Sequence, residues 1–387
     1  MRRLVEILEL TFRLVVVYPL LRLVFRNPLS SAPVDLNKVE RLLIFRYDRI
    51  GDMIVTTPIL RALKSRNPRL QLGVVASRLN AELLQNNPFV DDLYVLPSNW
   101  FDLLSQVVQI RRQRYDVVLN FIFNRTTSSG ILANLVAPGG HKVGHGADRY
   151  AFYFNRLLRL PLFDQHMVES LASYLQQVFG IALGQEELRF EIFVSDDSKR
   201  RVDEFLEGQR LHRRSLPRAH SAPYVLFNLS VRDHDRRVSP EQAATLARNL
   251  AEKTEFRTVL LIEPGDREME KTTASRREFA DCLVYQTEGE RPLAQIASLV
   301  EGALLVITPD TSIVHFASAM RTPVIGLYTQ QLQGTKEWLP FRVPYEMLMA
   351  PVGEPSSAIP PETLIQVSDK FIASLLGSSQ PTISKGL

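Results

Sequence analysis

From residue 38 onward, short apolar runs alternate with stretches whose apolar positions recur at helical spacing. The runs at 41–46 (RLLIFR), 71–76 (QLGVVA), 93–96 and 116–121 (DVVLNF) read as buried strands, and 58–66 and 100–112 as helices between them. Thr57 ahead of Pro58 is one helix-start signal, an N-cap followed by proline at the first helical position; the other reading begins this helix near Asp52 and bends it at Pro58. The pattern lapses over 196–223. There 196–206 reads as a surface helix, and 207–223 (EGQRLHRRSLPRAHSAP) has no periodic apolar face and reads as a linker. Alternation then restarts, with strands at 224–229, 257–262, 304–308 and 323–328 and helices at 240–252, 292–300 and 361–376. Strand–helix alternation predicts parallel, doubly wound sheets, and the two similar halves predict two α/β domains that form a cleft between them. The expected domains are 38–195 and 224–352, with 1–37 as an N-terminal segment and linker, 196–223 as a surface helix and linker, and 353–387 as a C-terminal helix and tail.

The N-terminal segment breaks this pattern. Residues 4–25 (LVEILELTFRLVVVYPLLRLVF) could span a bilayer by length, but Glu6, Glu9, Arg13 and Arg22 lie inside it, and central charges are expensive in hydrocarbon. At 100° per residue Arg2, Glu6, Glu9 and Arg13 share one narrow face, and Pro19 can kink the helix before Arg22 and Arg26. The segment reads as an amphipathic anchor lying in the membrane surface, its basic residues directed at anionic lipid. A helix packed on the globular body is the alternative. A cleaved signal peptide fits less well, since acidic residues interrupt the apolar run.

Composition changes this picture only at the edges. At 387 residues the chain is long enough for two cores, and 45% hydrophobic with 23% charged residues excludes a disordered chain. The single cysteine, Cys282, excludes an internal disulfide and any cysteine-cluster metal site, and fits a reducing compartment. The net charge of +4 is concentrated: Arg2, Arg3, Arg13, Arg22 and Arg26 outweigh Glu6 and Glu9, which leaves a nearly neutral body and no nucleic-acid surface.

Three motifs follow strands. In RYDRIGD (46–52) a strand, a short loop and a helix place Asp52 at the carboxyl edge of a sheet, where open α/β sheets bind ligands. Asp52 there is either a proton acceptor for a substrate hydroxyl or a helix cap. In TPDTSIVHFASA (308–319) Thr311 and Ser312 offer hydroxyls, the helix start offers amides to an anion, and His315 lies four residues beyond Thr311 on the same face; simple capping is the alternative. In NLSVRDHDRRVSPEQ (228–242) Arg232, Arg236 and Arg237 cluster in a loop able to hold a diphosphate, or to pair with its own aspartates. No P-loop, HExxH or GxSxG sequence is present, and no Asp-x-Asp suggests a metal-held diphosphate.

In order and spacing, LLIFRYDRIGDMIVTTPILRALKSRNP (42–68), NPFVDDLYVLP (87–97) and ITPDTSIVHFASAMRTPVIGLY (307–328) together resemble glycosyltransferase family 9, the lipopolysaccharide heptosyltransferase-like enzymes. The resemblance covers about residues 38–350. It implies a GT-B fold of two Rossmann-like, doubly wound domains facing across a cleft, with the acceptor in the first and the nucleotide-sugar in the second. It implies inverting transfer without a metal or other cofactor. Asp52 matches the family's general base. Arg236, Glu268, Asp310, Thr311, Ser312 and His315 fall at donor-binding positions, and Arg49, Asn124 and Arg125 are expected on the acceptor side. ADP-heptose is the donor that the resemblance implies, with a lipopolysaccharide core or other lipid-linked glycan as acceptor at the cytoplasmic face of the inner membrane. Three positions depart from the pattern: Ser312 for Gly, Arg236 for Lys and Val238 for Trp. A nucleotide-sugar hydrolase or epimerase on a similar fold, and a non-catalytic nucleotide-sugar-binding partner in envelope glycan assembly, are the other function classes; retention of Asp52 argues for an enzyme.

Overall fold

The structure is a computed structural model that describes residues 13–25, 27–123, 126–217, 219–329 and 335–377. The chain divides into two compact units, Met1–Leu162 with Met167–Leu188, and Phe163–His166 with Arg189–Leu387.

The first unit carries six parallel strands: β1 (Arg41–Phe45), β2 (Gln71–Ala76), β3 (Asp92–Val95), β4 (Val117–Asn120), β5 (His141–His145) and β6 (Arg156–Leu158). Their order is β3-β2-β1-β4-β5-β6, with every pairing parallel. This is a Rossmann order, whose direction of winding reverses between β1 and β4. The second unit repeats it. Strands β7 (Tyr224–Asn228), β8 (Arg257–Leu261), β9 (Leu283–Tyr285), β10 (Leu305–Pro309), β11 (Val324–Tyr328) and β12 (Tyr345–Met349) lie in the order β12-β11-β10-β7-β8-β9, again all parallel, reversing between β7 and β10. Central strands such as β1, β7 and β10 are buried along nearly their whole length and mostly apolar, because helices cover both faces of such a sheet.

The π-helical turn Arg13–Val17 runs into helix α1 (Tyr18–Val24), whose second residue is Pro19. Tyr18 is buried: its hydroxyl meets Thr127 Oγ1 at 3.0 Å and its ring packs edge-on against Tyr150 and Tyr153. Val15, Val16, Leu20, Leu23 and Val24 stay exposed. The segment is therefore pinned to the first unit by Tyr18, with Phe25 packed on Tyr153 and Arg22 over Phe152, while an apolar row faces outward. Arg2, Glu6 and Glu9 lie outside the described residues.

Helix α2 (Ile50–Arg66) resolves the two readings of its start: it begins at Ile50 and carries Pro58 inside. Proline has no N–H for the carbonyl four residues back, Ile54. The hydroxyl of Thr57, the residue read as a cap, donates to that carbonyl at 2.7 Å, and the Thr56 hydroxyl donates to Asp52 O at 2.8 Å. The first unit is completed by α3 (Trp100–Arg112), α4 (Thr126–Val136) and α5 (Met167–Phe179).

Helix α6 (Asp196–Gly208) buries Val202 and Leu206 in the second unit. The 207–223 stretch, read as a linker, is fastened to that unit: Leu211 bridges Ala222, Arg213 donates to Ser298 O and Oγ at 2.8 Å, and Arg214 donates to Met320 O at 2.8 Å. The remaining helices are α7 (Pro240–Ala251), α8 (Arg267–Ser275), α9 (Pro292–Gly302), α10 (Ser312–Ala319) and α11 (Pro361–Gly377). The last contributes Leu364 and Ile372 to the same core as Val225, Ile307 and Ile325, so the C-terminal helix is part of the second unit's interior. Val238, one of the three departures, is buried in that core.

Thr57→Val keeps shape and burial but strips the donor from the Ile54 carbonyl. Leaving a buried acceptor unpaired costs about 1–3 kcal/mol, so thermal denaturation should show Thr57→Val destabilised by that order and Thr57→Ser close to the parent.

Candidate active site

At the reversal point of the first unit, Arg46 follows β1 directly and is fully buried. A buried guanidinium must find acceptors for its donors. Its Nε donates to Asp52 O at 3.0 Å, Nη2 to Asp52 Oδ1 at 2.9 Å, and Nη1 to Asp48 Oδ2 at 3.2 Å and to Phe121 O just beyond β4. Arg46 thus ties the ends of β1 and β4 to the first turn of α2. Asp52 sits in that turn, where a carboxylate is favoured by the exposed amides, with its side chain 12% exposed. The N-cap position belongs to Arg49, which makes no side-chain cap and is itself exposed. Asn80, also buried, donates to Arg46 O at 3.0 Å and Arg49 O at 3.3 Å and so fixes the loop from behind. Asp52 is therefore a carboxylate held in one orientation by a buried cation and still reachable from outside. Asn124 and Arg125 lie outside the described residues.

At the reversal point of the second unit, Asn228 closes β7 and donates to Thr308 Oγ1 on β10 at 3.0 Å; Thr308 Oγ1 lies 3.2 Å from Thr311 Oγ1. Thr311 caps α10, accepting from Ile313 N, and Ser312 is the first helical residue, half-buried. Arg236 reaches across from the loop after β7, its Nη1 3.1 Å from Asp310 O and 3.0 Å from Asp310 Oδ2. Glu268 joins through a neighbour: Arg237 Nη1 donates to Glu268 Oε2 at 2.6 Å. Gly265, at φ +88°, makes the turn that brings Asp266 to cap α8 one residue before. The loops after β7, β8 and β10 thus gather Arg236, Glu268, Asp310, Thr311 and Ser312 at one sheet edge.

His315 is different. It lies buried on α10, against the edge of Trp338, and its Nδ1 has no hydrogen-bond partner among the described residues. Burial, with the nearby His166 adding to it, pushes its pKa down to about 3. His166, which packs on Phe341 and meets Leu339 O at 3.1 Å, is pushed down to about 4 by burial. At neutral pH both are uncharged, so His315 brings shape and a dipole to the site and no positive charge.

The sequence reading marked Asp52 without its partner. Arg46 and Asn80 were missed as supporting residues, and so were Asn228 and Thr308. The available signal for Arg46 was a guanidinium directly against a strand with no polar position in its last four residues. Among the described residues no group of three or more His, Cys, Asp or Glu side chains is placed to hold a metal ion.

Two Rossmann-ordered parallel sheets, each with polar side chains gathered where the strand order reverses, define the two-domain GT-B class of glycosyltransferase folds. The family description "Glycosyltransferase family 9 (heptosyltransferase)" matches residues 104–349, and the chain belongs to that family. It is a glycosyltransferase. The chain is 23% identical over 304 residues to the lipopolysaccharide core heptosyltransferase OpsX of Haemophilus influenzae, covering 76% of this chain and 81% of OpsX. A family 9 glycosyltransferase from Veillonella parvula superposes with a TM-score of 0.73 at 18% identity, over 89% of this chain and 100% of that one. The E. coli heptosyltransferase WaaC, solved with ADP-2-deoxy-2-fluoro heptose, superposes with a TM-score of 0.63 at 20% identity, over 86% and 99%. The family match includes the Asp310 loop and begins after Asp52, so the case for Asp52 rests on its geometry.

The depressed histidines set a pH dependence. A histidine whose folded pKa lies below its unfolded value near 6.5 takes up a proton on unfolding, so its contribution is complete above about pH 6.5 and is lost as pH falls toward the folded value. By pH 5 each of His166 and His315 should cost the fold on the order of 2 kcal/mol. Calorimetry between pH 7.5 and 5 should show a falling Tm, with a shallower slope in His315→Leu; parallel slopes would contradict the assignment.

Proposed function

We propose that the chain moves a sugar, heptose in the first instance, from a nucleoside diphosphate sugar to the lipopolysaccharide core or another lipid-linked glycan, with inversion and without a divalent metal. The observation that carries this is the Arg46–Asp52 pair at the reversal point of the first sheet. Asp52 takes the proton of the acceptor hydroxyl as its oxygen attacks the anomeric carbon. The bond from that carbon to the diphosphate breaks, and the nucleoside diphosphate leaves with the electron pair. Arg46 keeps the carboxylate aimed through this step and never meets substrate. The amides at the start of α10 and the Arg236 guanidinium supply the positive field for the leaving group that a metal would otherwise supply. Arg236 already spans Asp310 O and Oδ2, with its side chain 23% exposed, so it can turn a donor toward a phosphate without crossing a buried barrier. Glu268 is proposed to contact the ribose, and Arg49 the acceptor. OpsX is a lipopolysaccharide core heptosyltransferase and WaaC was solved with an ADP-heptose analogue, which supports both the donor and the acceptor class.

The enzyme is proposed to work at the cytoplasmic face of the inner membrane, as a peripheral protein. Among the described residues no helix is long and apolar enough to cross a membrane. The outward apolar row on and before α1 supports contact with the bilayer surface.

Asp52→Asn keeps the shape and the oxygen that faces Arg46. With ADP-heptose it should bind donor like the parent and lose kcat by about 10²–10⁴; turnover within a few-fold of the parent at saturating substrates would remove Asp52 from the chemistry. Arg236→Ala should raise the donor Kd measured by calorimetry by about tenfold or more, since charge-assisted hydrogen bonds are worth about 1.5–3 kcal/mol, and the parent should keep full activity in EDTA.

A further inference from the structure

Helix α3 leaves an apolar face without a partner. Trp100 is 77% exposed and Phe101 86%, and Leu104 and Val108 are also exposed, while Ile110 is buried and Val107 packs into the first unit's core. At 100° per residue Trp100, Phe101, Leu104 and Val108 fall within an arc of about 100°, and the exposed Arg111 and Arg112 lie on or just beside it. The helix's one acidic residue, Asp102, points elsewhere and is engaged by Asn99, whose Nδ2 donates to it at 2.6 Å. Thirteen residues make a rod of about 20 Å, with aromatic rings at one end and guanidinium groups at the other.

We propose that this face of α3 rests on an anionic lipid bilayer, as a second membrane contact beside the N-terminal segment. Three observations select lipid as the occupant. Large rings beside an aliphatic strip fit the boundary between headgroups and acyl chains. Every charge on the arc is positive and matches anionic headgroups. The third is proximity to α1: α3 packs on α4, and the start of α4 holds α1 through the Tyr18–Thr127 hydrogen bond, so both outward apolar rows are carried by helices fastened to α4. Two such contacts fix an orientation, which a single flexible anchor does not. For a transferase with a lipid-linked acceptor, a fixed orientation holds the first unit against the surface that carries the substrate. The inference rests on the proposed acceptor for its purpose only; its readout is independent of turnover.

The test uses the full-length chain with vesicles of phosphatidylethanolamine and phosphatidylglycerol. Trp100 and Trp338 are the only tryptophans, so an emission change that is lost in Trp100→Phe is assigned to α3. Adding vesicles should shift the emission to the blue, and the shift should vanish in Trp100→Phe, which still binds. The double variant Trp100→Ser with Phe101→Ser, at two exposed positions, should bind vesicles at least tenfold more weakly with an unchanged Tm. Arg111→Gln with Arg112→Gln should lose about tenfold on anionic vesicles and nothing on phosphatidylcholine. Turnover on a water-soluble acceptor fragment should survive the serine variant, which separates this idea from the transfer reaction: no turnover in the parent overturns the reaction and leaves the vesicle result standing. Vesicle binding with unmoved Trp100 emission, or undiminished binding by the serine variant, would overturn the proposal. So would a concentration-dependent dimer abolished by that variant, which would give the face to a second copy of the chain.

Discussion

Parallel pairing is the constraint on which the rest of the structure depends. All ten pairings between named strands are parallel. The carboxyl ends of each sheet's strands therefore emerge along one edge, and the order reverses at a single place in each, between β1 and β4 and between β7 and β10. At such a place the connecting chains leave in opposite directions and expose the strand ends to a ligand. Each of these openings is bridged by a polar side chain. Arg46 links the end of β1 to Phe121 beyond β4, and Asn228 links the end of β7 to Thr308 on β10. The bridges are what turn a gap in the winding into a defined site.

The two sites are built differently, in keeping with their proposed chemistry. In the first unit the cation is wholly buried and the carboxylate nearly so. A buried ion pair adds little net stability, because desolvation offsets most of the attraction. Its value lies in orientation, which suits a base that has to meet one hydroxyl. In the second unit Arg236, Arg237, Asp310 and Glu268 remain partly or largely in solvent and pair with one another. Such pairs are weak and exchangeable, which suits a site whose arginines must give up a carboxylate when a diphosphate arrives. His315 fits the same division, since its burial keeps it neutral and leaves the positive field to the arginines and the helix start.

Sequence patterning disclosed the central strands because burial on both faces leaves near-continuous apolar runs, as in 41–46 and 224–229. It also marked the edge strand β3 through 93–96, but it missed β5, β6, β9 and β12. Strand β5 holds two histidines, a lysine and a glycine, β6 and β9 have three residues each, and β12 exposes Tyr345, Glu346 and Met347. Covered less completely than the central strands, outer strands need no uniform apolar signature. The start of α2 was undecided because a proline inside a helix can be compensated by a neighbouring hydroxyl, and that contact is tertiary information carried in one residue, Thr57. Asp52, Asp310 and Thr311 were legible because they sit in strand-loop-helix motifs. Arg46 was not given a role, since a basic residue after an apolar run reads as the end of a strand and only the fold shows it enclosed. Likewise nothing in the local sequence says that 207–223 lies pinned along the second unit by Arg213 and Arg214.

The central claim is that the donor binds where the second sheet reverses its order. Hydrogen exchange read by mass spectrometry, with and without saturating ADP-heptose, tests this directly because it reports position without requiring turnover. Slowed exchange should be concentrated in 228–238, 263–268 and 309–313, the loops after β7, β8 and β10. Protection that instead falls at the amino ends of those strands, around 253–257 and 303–305, or a donor that binds without slowing exchange in any of the three loops, would contradict it.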